Sequence, residues 1–211
     1  MTHDYRVLAR HERFRGSVFT VLTDEVTMPG GGHADRDYVI HGGAVAVAAV
    51  DHIDRVVLIR QYRHPLGREL WELPAGLIDV EGEELPAAAA RELAEEVDLT
   101  ATDWQLLLDL NSSPGYSTEV VRIYLARGLA EVPEADRHTR EHEEAGMTTH
   151  RVPLCDAVAM VLAGEITNAT AVAGVLAAAR QRDAGWPAPG RPLDAPLPRA
   201  DVLPVGGKTA R

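Results

Sequence analysis

A single cysteine, a shortage of positive charge and the lack of any long apolar run set the first limits on this chain of 211 residues. Cys155, being alone, cannot close an intramolecular disulfide, and there is no Cys/His constellation of the kind that holds structural zinc. With 21 Lys and Arg against 32 Asp and Glu, the net charge is −11. That argues against affinity for a nucleic-acid backbone, which needs concentrated basic surface to displace counterions. No stretch approaches the roughly 20 apolar residues needed to span a bilayer, and the N-terminal MTHDYRVLARHERF is polar and charged. The expectation is a cytoplasmic protein with a free thiol, bound neither to membrane nor to nucleic acid.

At 45% hydrophobic residues, the chain has material for one substantial core and a small accessory unit. Short extended runs from Tyr5 to Tyr38, broken by Pro-Gly-Gly-Gly at 29–32, predict a small antiparallel β unit over residues 1–40. GGAVAVAAV and RVVLIRQYR, separated by DHID, read as neighbouring strands, most simply a hairpin. A helix is expected over residues 83–97, with Pro86 tolerated in its first turn. WQLLLDL and VVRIYLARGL read as strands around the loop NSSPGYSTE. Residues 152–166 and 167–182 read as two helices, the second capped by Thr167 or Asn168. Strands, helix, strands and helices in this order predict an α+β layered domain over 41–185, followed by a Pro/Gly-rich tail over 186–211.

Chemistry concentrates in one segment, which runs from Gly76 through Glu83 to Arg91-Glu92-Leu93-Ala94-Glu95-Glu96 and on to Leu99. On a helix, Glu92 and Glu96 stand one above the other, with Glu95 beside them. Carboxylates at that spacing repel one another unless they are solvated or share a cation. Their hard oxygens suit Mg²⁺ or Mn²⁺ better than Zn²⁺. A Glu-rich helix face is commonly just a solvated surface, so spacing alone leaves both explanations open.

The surroundings of these residues resemble the sequence box of the Nudix hydrolases: Gly, five residues, Glu, seven residues, then Arg-Glu-apolar-any-Glu-Glu-any-Gly-apolar. Glu83, Arg91, Glu92, Leu93, Glu95, Glu96 and Leu99 match in type and spacing. The resemblance implies a mixed-sheet α/β/α sandwich that hydrolyses nucleoside diphosphates linked to another group. It also implies Mg²⁺, with Mn²⁺ as a substitute, held by Glu92, Glu95, Glu96 and the carbonyl of Ala75, while Glu83 and Arg91 hold the unit together. Two positions depart from the pattern. Six residues rather than five separate Gly76 from Glu83, and Asp98 stands where the family has glycine. Gly82 can absorb the extra residue, and Asp98 is expected at a helix end with positive φ, which Asp adopts at modest cost.

Outside the box, RDYVIHGGAV, QYRHPLGRELWELPAG and SSPGYSTE resemble the ADP-ribose pyrophosphatase branch, with Pro114 sixteen positions beyond Asp98. That branch implies a general base from the acidic loop REHEEAGM, Glu144 first and Glu143 second, closing toward the metals. Gly146 stands where related loops often carry a further acid. Arg63 is then expected to contact phosphate, Glu119 to accept from ribose hydroxyls, and Arg36 to reach the adenine side from the partner of a homodimer with exchanged N-terminal sheets. Trp71 and Tyr116 could stack on a base or ribose, although Trp71 reads first as a core residue. His138, His142 and His150 have no metal-triad spacing and read as solvated or satisfied.

Overall fold

The computed structural model describes residues 4–140, 146–188 and 190–198. The described residues form two compact units: 4–43 with 111–120 and 198, and 44–110 with 121–140, 146–188 and 190–197.

In the first unit, β1 (Val7–Arg15), β2 (Phe19–Thr27) and β3 (His33–His41) form an antiparallel sheet in that order. Gly30, Gly31 and Gly32 turn the chain between β2 and β3 at φ of 90°, 94° and 80°, a region that side chains disfavour. The sheet carries a charged bond network on β1, β2 and β3. Asp24 is 4% exposed and accepts from Arg10 Nε at 2.7 Å and Nη2 at 2.6 Å, and from the Tyr38 hydroxyl at 2.9 Å. Burial pushes the Asp24 carboxyl up, but the bonds from Arg10 and Tyr38 outweigh it and hold it below its ordinary value. Burial and the bond to Asp24 push the Tyr38 hydroxyl up to about 12. The segment 111–120 docks on β3: Val39 N–H donates to the Tyr116 carbonyl at 2.7 Å, and Thr118 N–H to the Val39 carbonyl at 3.0 Å.

The second unit contains β4 (Ala44–Ala49), β5 (Arg55–Arg63), β6 (Arg68–Glu72), β7 (Ala75–Leu77), α1 (Leu85–Val97), β8 (Leu99–Asn111), β9 (Val120–Glu131), β10 (Thr148–Pro153), α2 (Leu154–Leu162) and α3 (Ala169–Asp183). One sheet has the order β7-β4-β9-β8 and the other β10-β5-β6. β4 is parallel to β9 and antiparallel to β7, so the larger sheet is mixed. Alternation along β4 builds the sandwich. Ala46 and Ala48 join Ile123, Leu154, Val175 and Ala178 on the α2/α3 side. Val45, Val47 and Ala49 join Ala88, Leu93 and Val97 of α1 on the other. At Gly174 of α3 an added Cβ would lie 2.5 Å from a terminal methyl of Leu73, so a larger residue there would have to displace the Leu73 side chain. Among the described residues, no helix is long and apolar enough to cross a membrane.

Two expectations are corrected. β4 and β5 do not pair as a hairpin ladder: one bridge, Val50 to Val56, joins their ends, and the strands then enter different sheets. The DHID turn is tight all the same, with Asp54 at φ 58° and Asp51 accepting from Ile53 N–H and Arg55 N–H. β4 is buried on both faces and takes the centre of its own sheet, a choice that alternation within one strand cannot signal. The run 152–166 is also not one helix. Val152 and Pro153 finish β10 against β5, α2 ends at Leu162, and Gly164 turns the chain at φ 76°. α3 is capped as expected, with the Asn168 side chain accepting from Ala171 N–H at 3.0 Å.

Residues 190–197 lie along β8 and β9. Arg122, 0% exposed, donates to both oxygens of Asp109, at 2.7 and 3.1 Å, and to the carbonyls of Ala195 and Pro196. Arg191 adds a bond to Asp109 at 2.6 Å, and the Tyr124 hydroxyl donates to the Leu193 carbonyl at 3.3 Å.

Candidate active site

The glutamates of the box are carried by α1, which begins at Leu85 with Pro86 in its first turn and ends where Asp98 turns left-handed at φ 55°. Asp98 N–H closes the helix on the carbonyls of Ala94 and Leu93. One face of α1 is apolar and seals the core through Ala88, Ala89, Leu93 and Val97. Glu92 and Glu96 flank that face and are themselves 9% and 4% exposed. Helical spacing thus places two carboxylates at the edge of the core, where charge is costly without compensation.

The close approach of β7 shapes this end of the site. At Gly76 an added Cβ would lie 2.0 Å from the Glu92 carboxyl carbon, so a side chain there would have to displace the Glu92 carboxylate. One residue earlier, Ala75 N–H donates to Glu96 Oε2 at 2.8 Å. The two adjacent residues of the box's leading loop therefore meet the two glutamates one helical turn apart.

Arg91 organises the remainder. Its Nε and Nη2 donate to the two oxygens of Glu83, each at 3.0 Å, while Nη1 donates to Glu92 at 2.7 Å and Glu95 at 3.1 Å. A bidentate guanidinium pair fixes orientation as well as distance. It ties the loop before α1 to the helix, the supporting part the sequence suggests for Glu83 and Arg91. The bonds from Arg91 hold the Glu83 carboxyl below its ordinary range, and Glu83 pushes the guanidinium higher still.

Three glutamates meet one arginine, so Arg91 leaves negative charge over. The donor chemistry fits a hard divalent cation: carboxylate oxygens on consecutive turns, oriented by a fixed arginine and a backbone amide. Among the described residues, no three His, Cys, Asp or Glu side chains already converge as a cage. Glu92 and Glu95 turn toward Arg91, and Glu96 toward the Ala75 amide.

Other expected residues fall as follows. Arg63 donates to both oxygens of the buried Glu72, at 2.8 and 2.6 Å, so its guanidinium is engaged within the fold. Trp71 is occupied too: the His150 ring meets it edge-on at 4.8 Å, and Arg60 lies 5.0 Å over its centre. In the first unit, Pro114 and Tyr116 line a cleft of about 280 Å³ with Tyr38 and Asn111. In the same segment, Glu119 accepts a short bond from the Ser112 hydroxyl. Arg36 is exposed and donates to the neighbouring Asp35 carbonyl at 2.9 Å. Glu143 and Glu144 lie outside the described residues. Arg140 is described, and it was not singled out from sequence: Nη2 donates to Asp98 Oδ2 at 2.5 Å and Nε to the Glu95 carbonyl at 3.1 Å. Its only cue was a basic residue at the head of an acidic loop.

Comparison with known proteins agrees with this geometry. Residues 40–171 match the NUDIX domain. The chain is 48% identical over 192 residues to the ADP-ribose pyrophosphatase of Mycobacterium tuberculosis, covering 91% of this chain and 90% of the relative. It is 35% identical over 164 residues to the ADP-ribose pyrophosphatase of Bacillus subtilis, covering 78% and 86%. The crystal structure of an ADP compounds hydrolase superposes with a TM-score of 0.75 at 23% identity, over 88% of this chain and 98% of that one, which establishes the shared fold. With a matched domain spanning well over half the chain, and the box glutamates set against Ala75 and Gly76, the protein belongs to the Nudix hydrolases.

Proposed function

We propose that the protein hydrolyses the pyrophosphate bond of ADP-ribose to AMP and ribose 5-phosphate in a Mg²⁺-dependent reaction, with Mn²⁺ able to substitute. The observation that carries this reading is the pair of nearly buried carboxylates, Glu92 and Glu96, seated on the backbone of Gly76 and Ala75. The identity to two ADP-ribose pyrophosphatases supports the choice of substrate.

Glu92, Glu95, Glu96 and the Ala75 carbonyl would hold the cation. When bound, it would screen the charge of the diphosphate and favour deprotonation of the attacking water. The protein's own part is orientation. Arg91 and Glu83 hold α1 against its leading loop, and Gly76 leaves the space that Glu92 occupies. Glu144, with Glu143 as the alternative, would take the proton from water. Pro114 and Tyr116 would bound the ribose side, where Glu119 would accept from its hydroxyls, and Arg63 would meet phosphate if it exchanges its bond to Glu72. Leu8, Phe14, Val18 and Phe19 of the N-terminal unit are 42–54% exposed, an apolar surface suited to a second copy of the chain. A homodimer would bring Arg36 to the adenine side of the partner's substrate. The exposed free thiol of Cys155 suits the cytoplasm.

The test is chromatographic identification of products from ADP-ribose, GDP-mannose and other nucleotide sugars, with Mg²⁺ and with chelator, beside Glu96→Gln. AMP and ribose 5-phosphate should form fastest from ADP-ribose, only with metal and only with Glu96 intact. Faster cleavage of another nucleotide sugar would replace the substrate, and ADP-ribose binding without turnover would replace catalysis by a binding role.

A further inference from the structure

In the first unit, the segment 111–120 is fastened to the end of β3 by side chains as well as by backbone, and the two kinds of bond meet at His41. His41 N–H donates to the Thr118 hydroxyl at 3.1 Å, and that hydroxyl donates to the His41 carbonyl at 3.5 Å. The ring itself turns Nδ1 toward two partners. Gly43 N–H donates to it at 3.1 Å, from a backbone at φ 88° that side chains disfavour. Glu119 Oε1 stands 3.5 Å from the same nitrogen. The other oxygen of Glu119 accepts the short bond from Ser112, and Glu119 N–H donates to the Ser117 hydroxyl at 3.1 Å. Glu119 is therefore met at both carboxylate oxygens and at its backbone, yet its side chain stays 29% exposed.

An imidazole nitrogen serves one of these neighbours at a time: unprotonated it accepts from Gly43, protonated it donates to Glu119. In either state the ring bounds Oε1 while Ser112 holds Oε2. Ordering a glutamate side chain costs conformational entropy, and a ligand need not supply it where the protein has ordered the group already. A carboxylate offers about four lone-pair sites, so one bond at each oxygen leaves others open to hydroxyl donors. We propose that His41, together with Ser112, is a positioning residue that seats the Glu119 carboxylate to accept from the paired hydroxyls of a ribose. The seating depends on the first unit alone, and the identity of the ribose, as the terminal one of ADP-ribose, rests on the proposed function. Asn111, Ser117 and Thr118 line the cleft of Pro114 and Tyr116 with amide and hydroxyl groups, which suits a sugar.

Two substitutions at His41 separate this role from stability. Asparagine carries a carbonyl for Gly43 N–H and an amide for Glu119, whereas leucine fills similar space with neither. His41→Leu should raise KM for ADP-ribose about ten-fold with kcat changed less than about two-fold, and His41→Asn should keep KM within about two-fold of the parent. ADP lacks the terminal ribose, so its Ki as an inhibitor should be the same for the parent and His41→Leu. A parallel rise in the Ki of ADP would place the effect elsewhere and overturn the proposal. Ser112→Ala should raise KM in the same direction and Ser112→Thr should restore it, a pair that decides the matter if His41→Leu does not fold. Crystal structures without ligand give a second readout: the Glu119 carboxylate should leave the Ser112 hydroxyl in His41→Leu and remain on it in His41→Asn. Glu119 still bonded to Ser112 in His41→Leu, with KM unchanged and only the melting temperature lowered, would make His41 merely structural and overturn the seating. A displaced Glu119 with KM unchanged would overturn the ribose contact in the proposed function and uphold the seating. A parent protein inactive on ADP-ribose would overturn the proposed function alone, leaving the crystal structures to decide on the seating.

Discussion

Two arginine-centred clusters in the same unit use the same bidentate chemistry to opposite ends. At Arg91, one guanidinium faces three glutamates, Glu83, Glu92 and Glu95, and the cluster opens toward solvent, with the arginine side chain 30% exposed. At Arg122, two guanidiniums face one carboxylate, Asp109, and the donors left over are met by the carbonyls of Ala195 and Pro196. The second cluster is closed at its buried pair: Arg122 and Asp109 answer each other within the fold, the surplus positive charge belongs to the exposed Arg191, and the product is the attachment of residues 190–197 to β8 and β9. The first carries negative charge beyond what its arginine neutralises, which suits a place where a cation and a diphosphate meet. A surplus of negative charge at the first and a buried, mutually bonded pair at the second separate a reactive site from a structural bond of similar geometry.

Breaking the closed cluster should have the largest effect. Arg122→Met leaves Asp109 buried with its principal partner gone, which should cost about 3–5 kcal/mol. A fall in melting temperature of roughly 10 °C or more is expected, with the turnover of the folded fraction unchanged. Equal turnover and equal melting temperature would show that the tail bond contributes nothing. Next comes the open cluster: Glu96→Gln should lower kcat by about 3 kcal/mol, roughly 100-fold, while the melting temperature stays within a few degrees. A large melting shift instead would make Glu96 structural.

Gly76→Ala should follow, with about a ten-fold loss of kcat, because its Cβ would fall 2.0 Å from the Glu92 carboxyl carbon and displace the carboxylate. A crystal structure of the variant with Glu92 unmoved would refute that account. The smallest effect is acid sensitivity at the closed cluster. Burial pushes the Asp109 carboxyl up, but the bonds from Arg122 and Arg191 outweigh it and hold it below its ordinary 3.8. A carboxyl depressed in the folded state contributes stability that is complete above 3.8 and is lost as pH falls through the lower folded value. Arg191→Gln, removing a partner that is 43% exposed, should reduce this acid-linked contribution by less than ~1 kcal/mol, measured as the slope of melting temperature against pH below 4.

Much of the open cluster was legible in advance. Glu92, Glu95 and Glu96 follow helical spacing, Glu83 and Arg91 were expected to hold loop and helix together, and the left-handed turn at Asp98 was expected from a glycine position filled by aspartate. These features depend on residues close in the chain, where backbone geometry translates spacing directly into position. The closed cluster was not legible. Arg122 lies within the apolar strand β9, and its partners stand 13 residues before it and more than 70 after it. A salt bridge was the alternative to phosphate contact for Arg63, but its partner Glu72 is set by the antiparallel register of β5 against β6, which the sequence does not signal.

By itself the sequence determined the Nudix identity, the helix that bears the glutamates, the antiparallel N-terminal sheet, and the backbone turns at Gly30 to Gly32 and at Asp98. These are set by local sterics and by the periodicity of apolar residues. Only the tertiary structure decided that β4 and β5 part into different sheets, that residues 190–197 close over Arg122, and that Arg140 reaches back to Asp98. Each of these joins residues that neither helical nor strand periodicity relates. They depend on which buried polar group finds its partner once the sheets have packed, and that partner is chosen by the whole fold.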